Sequence, residues 1–332
     1  MVLGLPSGFG GGRVLGSASS GRGYSDRAFV WRDGAPSELE GAGRYRAWLS
    51  RGDSTGFAGA WLPKSGPSRA VWWKVDGAAL HAVELHLAHM ESSRALGCAS
   101  GQQVGYGRPS NQATVGGIER ALWWAGSAQS ARELTGTDPE WSTEAYALAG
   151  GVQVGVYGSN WGRRAAMWRG SSETFVDLHP LGESAAATQL SIARGAGDGE
   201  QVGVFITQSG GSPAMQRAAL WRGTADSFID LTPGNFPSAD AKACVHGVQV
   251  GQVSTKPDNR GARRAALWTG SGQSFVNLHD VVPAPWTDSW AVDVQVDGSV
   301  MRVLGGVEDQ IWQDDSATTR ARQLALWTVT LS

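Results

Sequence analysis

Cysteine is scarce in this chain, two in 332 residues, which excludes the disulfide-stapled scaffold of small secreted domains. Cys98 and Cys244 each stand five residues before the Gln of a Gln-Val-Gly segment. They therefore fall on equivalent strands of different repeat units, whereas a disulfide needs Cα atoms within about 7 Å. Both are expected as buried free thiols. No apolar run approaches the ~20 residues of a transmembrane helix, so no membrane partner is expected. Met1–Ser20 lacks the charged start and apolar centre of a signal peptide, and no Asn-x-Ser/Thr acceptor occurs. As it stands the sequence reads as cytoplasmic, and an extracellular place would require a leader ahead of it. Charge of one sign is missing too: 28 Lys and Arg face 30 Asp and Glu, a net charge of −2. That balance argues against nucleic acid or an anionic membrane surface as partner. No window holds a helical apolar period. There is no Gly-x-Ser-x-Gly elbow, no Walker loop and no Gly-x-Gly-x-x-Gly after a strand.

Tryptophan and repetition are abundant. Arg-Ala-x-x-Trp occurs at Arg27–Trp31, Arg69–Trp73, Arg120–Trp124, Arg164–Trp168, Arg217–Trp221 and Arg264–Trp268, with a degraded copy at Arg322–Trp327. Seven units of about 47 residues fill the chain, a period typical of propellers, solenoids and arrays. Each unit carries four short segments. The first is Ser-x-Ala-x-small, as in Ser93–Gly97, Thr143–Ala147 and Ser238–Ala243. The second is Gln-Val-Gly at Gln103–Gly105, Gln153–Gly155, Gln201–Gly203 and Gln249–Gly251. The third holds the tryptophan, and the fourth reads aromatic or Val, acid, Leu, as in Phe175–Leu178 and Phe228–Leu231. Gly, Ser and Asp bound each segment, which is strand punctuation.

Four strands per unit and seven units predict an all-β fold, a seven-bladed β-propeller with four short antiparallel strands per blade. A single domain over residues 1–332 is expected. Small residues suit the first segment to the crowded axis, with the others following outward. Only Thr328–Ser332 follow Trp327, so Met1–Ser7 is expected either as the first inner strand or to complete the last blade.

The unit resembles the bacterial HAF-type extracellular repeats and related Trp-rich propeller repeats. The resemblance is carried by Arg27–Gly34 (RAFVWRDG), Gly151–Gly155 (GVQVG) and Arg217–Leu231, and covers nearly all of the chain. It implies blade architecture and no activity, substrate or catalytic residue.

Much that looks chemical recurs once per unit and reads as architecture. The arginines Arg69, Arg120, Arg164, Arg217 and Arg264, with the acids Glu84, Glu133, Asp177 and Asp230, suggest an ion pair pinning the third strand. If buried, such a pair would cost about 3–5 kcal/mol to break. His86, His179 and His279 share one position after the fourth-strand Leu and read as polar turns. The run His81 to His89 has histidine spacings of five and three, not the four of a zinc-protease helix. No metal and no cofactor are expected.

Function is sought where the units disagree. The tryptophan-to-Leu hairpin is constant in length. The connections from Gln-Val-Gly to Arg-Ala, and from the fourth strand to the next first strand, vary widely. In a propeller both connection classes share one face, and loops on a rigid scaffold commonly carry binding. The last unit adds an insertion at Glu308–Asp315, and Trp161 and Trp312 also lie in or beside variable segments. Within the first segment, one position varies as Arg46, Arg94, Glu144, Asp240 and Trp290, with Gln189 a looser match. Trp141 and Trp286 stand in the long connections. Together these eight predict a site for a small polar ligand, a sugar or a peptide, in a monomeric binding module. The alternatives are a hydrolase or cyclase-like enzyme using Glu144 and Asp240 as acid and base with Arg46 and Arg94 stabilising an anion, and a protein-interaction scaffold.

Overall fold

The strands expected from the repeat pair in chain order. The computed structural model describes residues 3–10, 13–19, 27–32, 35–39, 45–63, 66–77, 79–110, 117–159, 162–181, 188–208, 214–257, 261–313 and 316–330. The first sheet holds β1 (Leu3–Gly10), β2 (Arg13–Ser19), β3 (Arg27–Arg32) and β4 (Ala35–Glu38). The second holds β5 (Tyr45–Asp53), β6 (Gly56–Pro63), β7 (Arg69–Asp76) and β8 (Ala79–Glu84). The third holds β9 (Met90–Ala99), β10 (Gln102–Pro109), β11 (Arg120–Trp124) and β12 (Arg132–Leu134). The fourth holds β13 (Ser142–Ala149), β14 (Val152–Gly158), β15 (Arg164–Trp168) and β16 (Val176–Asp177). The fifth holds β17 (Thr188–Gly197), β18 (Glu200–Thr207), β19 (Met215–Trp221) and β20 (Ile229–Asp230). The sixth holds β21 (Ser238–Val245), β22 (Val248–Ser254), β23 (Arg263–Trp268) and β24 (Val276–Asn277). The last, three-stranded among the described residues, holds β25 (Asp288–Asp297), β26 (Val300–Gln313) and β27 (Ser316–Thr330).

All sheets are antiparallel and each comes from one repeat, so the chain is a seven-bladed β-propeller. β1 pairs with β2, which makes it the first strand of the first blade rather than a completion of the last. The insertion at Glu308 is mostly strand: it lengthens the hairpin of β26 and β27. Contacts group the chain into two compact units, Met1–Trp161 with Ala166–Phe175, and Gly162–Ala165 with Val176–Ser332.

The repeat signature explains the blades. The first hairpin of several units turns on two residues with positive φ, such as Asp198-Gly199 and His246-Gly247, the conformation a tight hairpin requires. Gln103, Gln153, Gln201 and Gln249 each donate from Nε2 to the carbonyl two residues earlier, at 2.8–3.0 Å. Their Oε1 atoms accept from the N–H of Gly126, Gly170, Gly223 and Gly270 at 2.6–3.1 Å. The amide thus locks one hairpin turn to the other. Trp73, Trp124, Trp168, Trp221 and Trp268 are fully buried. Trp168 Nε1 donates to Thr135 O at 2.8 Å, so its ring reaches the preceding blade. Cys98 and Cys244 are buried thiols, neither of them in a disulfide. Burial, then the nearby Asp53 carboxylate, pushes the Cys98 thiol up to about 12, which keeps it unreactive.

The repeated ion pair needs correction. Arg69–Glu84, Arg164–Asp177 and Arg217–Asp230 form at 3.2, 2.8 and 2.5 Å, but every partner is partly exposed. Water competes there, and each pair contributes about 0–1 kcal/mol, well below the figure for a buried pair. Arg120 and Arg264 choose other acceptors: Pro139 O and Trp141 O for the first, Arg263 O and Thr287 O for the second.

The histidines join blades, which is more than a polar turn does. The Nδ1 atoms of His86, His179 and His279 lie 2.8 Å from the hydroxyls of Ser93, Ser191 and Ser289 on the next first strand. Those hydroxyls accept at 2.9 Å from the N–H groups of Ala70, Ala165 and Ala265. Each hydroxyl then has its hydrogen free for Nδ1, which suits a neutral imidazole. Burial first, and Arg69, Arg164 or Arg264 second, hold all three pKa values below the usual imidazole range. The unfolded chain protonates near pH 6.5 while the folded chain resists. Their contribution is therefore complete above that pH and is lost as pH falls below it. Urea denaturation at pH 7.5 and pH 5.5 is expected to show lower stability at the acid value. Replacing His179 and His279 with Asn should flatten the difference, and an unchanged slope would refute the assignment.

Candidate functional site

The first strands of all seven blades share one irregularity, which in the first blade falls between Pro6 and Gly8. Between Ala95 and Gly97, Ala145 and Ala147, Ala193 and Gly195, Ala241 and Ala243, Ala291 and Asp293, and Leu49 and Gly52, the register shifts by one residue. The bulge sits opposite the glycine of the second strand. A Cβ added at Gly59, Gly105, Gly155, Gly203, Gly251 or Gly305 would stand 1.9–2.1 Å from the carbonyl oxygen of Trp48, Arg94, Glu144, Ile192, Asp240 or Trp290. Those six are the structurally equivalent variable residues. The register corrects two expectations: Arg46 pairs with Leu62, two residues early, and Gln189 precedes Ile192 by three. The side chains of Arg46, Gln189 and Trp312, and all of Trp161, lie outside the described residues.

Bulges re-aim side chains, and here they create a second variable row: Ser50, Leu96, Tyr146, Arg194, Lys242 and Val292. The first unit has an aromatic and charged cluster. The Arg94 guanidinium lies 5.9 Å over the Trp48 ring, and Tyr146 donates to buried Glu144 at 2.9 Å. Tyr106, opposite Arg94 in β10, feels both Arg94 and Glu144; burial dominates and holds its phenol above the usual value. Trp141 is not an open shelf. It packs against Tyr157, with centroids 5.5 Å apart, in the cluster that contains Trp168.

In the second unit, Asp240 is 3% exposed. Its carboxylate meets the Lys242 ammonium from its own strand and Arg194 Nε, 3.5 Å away, from the preceding blade. Two partly exposed cations thus flank one buried anion. A separate cluster surrounds Trp290. Arg263 lies 4.7 Å and Arg322 5.8 Å from the ring centroid. Both arginines pair with Glu308, which also accepts from Gln310. Arg263 N–H donates to Asp288 at 2.8 Å, and both carboxylates are fully buried. Gly306 makes room for the indole: a Cβ there would stand 2.3 Å from it. Trp290 is accordingly a clamped core ring, and half-buried Trp286 stays in the connection before β25.

The structure brings Arg94 near Glu144 in one unit and sets Asp240 beside Lys242 and Arg194 in the other. Sequence reading passed over Tyr146, Ile192, Arg194 and Lys242. A usable signal exists, since Arg94, Glu144, Ile192 and Asp240 all lie nine residues before the Gln of their unit, and the bulge row is two residues on. A groove of about 790 Å³ lies elsewhere, lined by Asp230, Asn235, Gln273 and Phe275 among others, and includes none of the expected residues. Among the described residues no three His, Cys, Asp or Glu side chains gather as a metal site would, and no helix is long and apolar enough to cross a membrane.

No protein-family model and no curated protein matches the chain. Solved structures do. A puromycin hydrolase is 14% identical with a TM-score of 0.59, covering 96% of this chain and 54% of its own. The acylaminoacyl peptidase of Pyrococcus horikoshii is 10% identical with a TM-score of 0.55, covering 100% of this chain and 52% of its own. The β-propeller domain of the Trilobed protease from Pyrococcus furiosus, described as having an open velcro topology, is 9% identical with a TM-score of 0.54. It covers 99% of this chain and 96% of its own. This chain spans about half the length of the first two. Identities this low establish likeness of fold.

Proposed function

We propose that this propeller is a binding module that takes a peptide carboxylate on the bulged first strands of its fifth and sixth blades. The observation that carries the reading is the Arg194–Asp240–Lys242 cluster. Asp240 is held in place by two cations whose heads remain partly exposed. Both side chains keep a solvent-facing part, 35% exposed for Arg194 and 25% for Lys242, and oriented cations bind a carboxylate by charge-assisted hydrogen bonds. A sugar is less well supported, because Trp141 and Trp290 are committed to packing. The acid and base reading of Glu144 and Asp240 is also weaker: Tyr146 occupies the first, and Lys242 and Arg194 the second. A second reading is a propeller part of a larger peptide-hydrolysing protein, favoured by the peptidase and hydrolase activities of the similar structures and by their greater length. Kinship with the HAF-type repeats belongs to the proposal, supported by the repeat signature.

Titration calorimetry with Ala-Ala-Ala, Ala-Lys-Ala and Ala-Glu-Ala, each as free acid and as amide, tests it. At least one free acid should bind, and its amide should bind at least about tenfold more weakly, near 1.4 kcal/mol. Arg194→Ala and Lys242→Ala should each lose a similar factor with little change in melting temperature. Equal affinity of acid and amide, or unaltered binding by both variants, would exclude the site.

A further inference from the structure

Where the fourth strand of the fifth blade leads into the sixth, the chain leaves a groove, and none of its lining residues lies on a first strand. Its volume is about 790 Å³, inside the roughly 300–1,000 Å³ of small-molecule sites. One wall is Asp230 with the connection 232–235, and the other is the single 3₁₀ turn at 271–275. The same seam between the third and fourth blades is stitched by Ser172. Its hydroxyl accepts from the Thr135 N–H at 2.9 Å and donates to the Glu133 carbonyl at 3.0 Å. Gly272 holds that place in the sixth blade, so no side chain can make the stitch. A Cβ there would stand 2.9 Å from the Thr232 carbonyl oxygen, and a serine would need the backbone to move. The Thr232 N–H turns instead to the Asp230 carboxylate, at 2.8 Å.

We infer that this groove binds a neutral saccharide. The only charged side chain in its lining, Asp230, is already matched by Arg217 at 2.5 Å, so a charged ligand would gain no partner. Asn235 and Gln273 are exposed, and among the described residues their amides bond to nothing in the chain. Each amide sets donors and an acceptor side by side, a fork that two neighbouring hydroxyls of a sugar ring complete. Half-buried Phe275 is braced by Phe236 at 5.4 Å and by Trp268 at 6.2 Å. Its ring offers the C–H face of a sugar an apolar surface with a negatively polarised face. The groove is separate from the carboxylate cluster on the first strands, and neither site depends on the other.

Titration calorimetry of the intact protein with maltotriose, cellotriose, mannotriose and chitotriose tests the inference. At least one is expected to bind with a Kd of about 1 mM or tighter. Asn235→Ala and Gln273→Ala should each weaken that binding at least about fivefold. The melting temperature should hold, because neither amide supports the fold. Arg194→Ala should leave sugar binding unaltered. No saturable binding of any of the four up to about 10 mM, or binding that survives both groove variants unchanged, would overturn the inference. Binding lost in Arg194→Ala but kept in the groove variants would also overturn it, since the sugar would then sit on the first strands.

Discussion

Trp221→Ala is expected to destabilise the protein by about 3–5 kcal/mol, the usual cost of deleting a packed aromatic side chain. The ring is fully buried and lies 6.1 Å from Phe228, which in turn meets Phe205 edge-on at 4.8 Å. Its Nε1 makes no hydrogen bond, so the loss is one of packing. Trp168 offers a comparison, because its Nε1 donates to Thr135 O. Trp→Phe should therefore cost more at Trp168 than at Trp221, by about the 0.5–1.5 kcal/mol of one hydrogen bond. Denaturation in guanidinium chloride measures both. A loss below about 1 kcal/mol for Trp221→Ala would mean that the blades do not depend on their repeat tryptophans.

Glu308→Ala should match that loss, at about 3–5 kcal/mol, for an electrostatic reason. Glu308 is fully buried and bonded to Arg263, Arg322 and Gln310. Removing it takes the carboxylate from Arg322 and leaves Arg263 with Asp288 alone, and uncompensated buried charge is what makes breaking such a pair costly. Little of the effect should disappear in 1 M salt, since screening acts mainly on exposed charges. Asp230→Ala is the contrast: it breaks the partly exposed pair with Arg217 and should cost at most about 1 kcal/mol. Urea denaturation of the two variants with and without salt decides the matter. Similar losses at both positions would show that burial does not separate the two kinds of pair.

The sequence by itself determined the blade count, the order of strands within a blade and the buried tryptophans. Each follows from local chemistry repeated seven times: strand-forming segments, Gly-rich turns and one large ring per third strand. It also located the first strand as the place of variation, and there Arg94, Glu144, Asp240 and Trp290 stand where alignment puts them. Tertiary structure decided the rest. The bulge moved the variable position from Arg46 to Trp48 and from Gln189 to Ile192, because pairing across strands, not spacing along one, sets register. The same bulge brought Lys242 and Arg194 to Asp240. Arg263, Asp288, Glu308 and Arg322 share a buried network although long stretches of chain separate them. Whether an arginine meets a carboxylate, a backbone carbonyl or an indole depends on which strand end the fold places beside it, and that choice is made across blades, where sequence spacing carries no information.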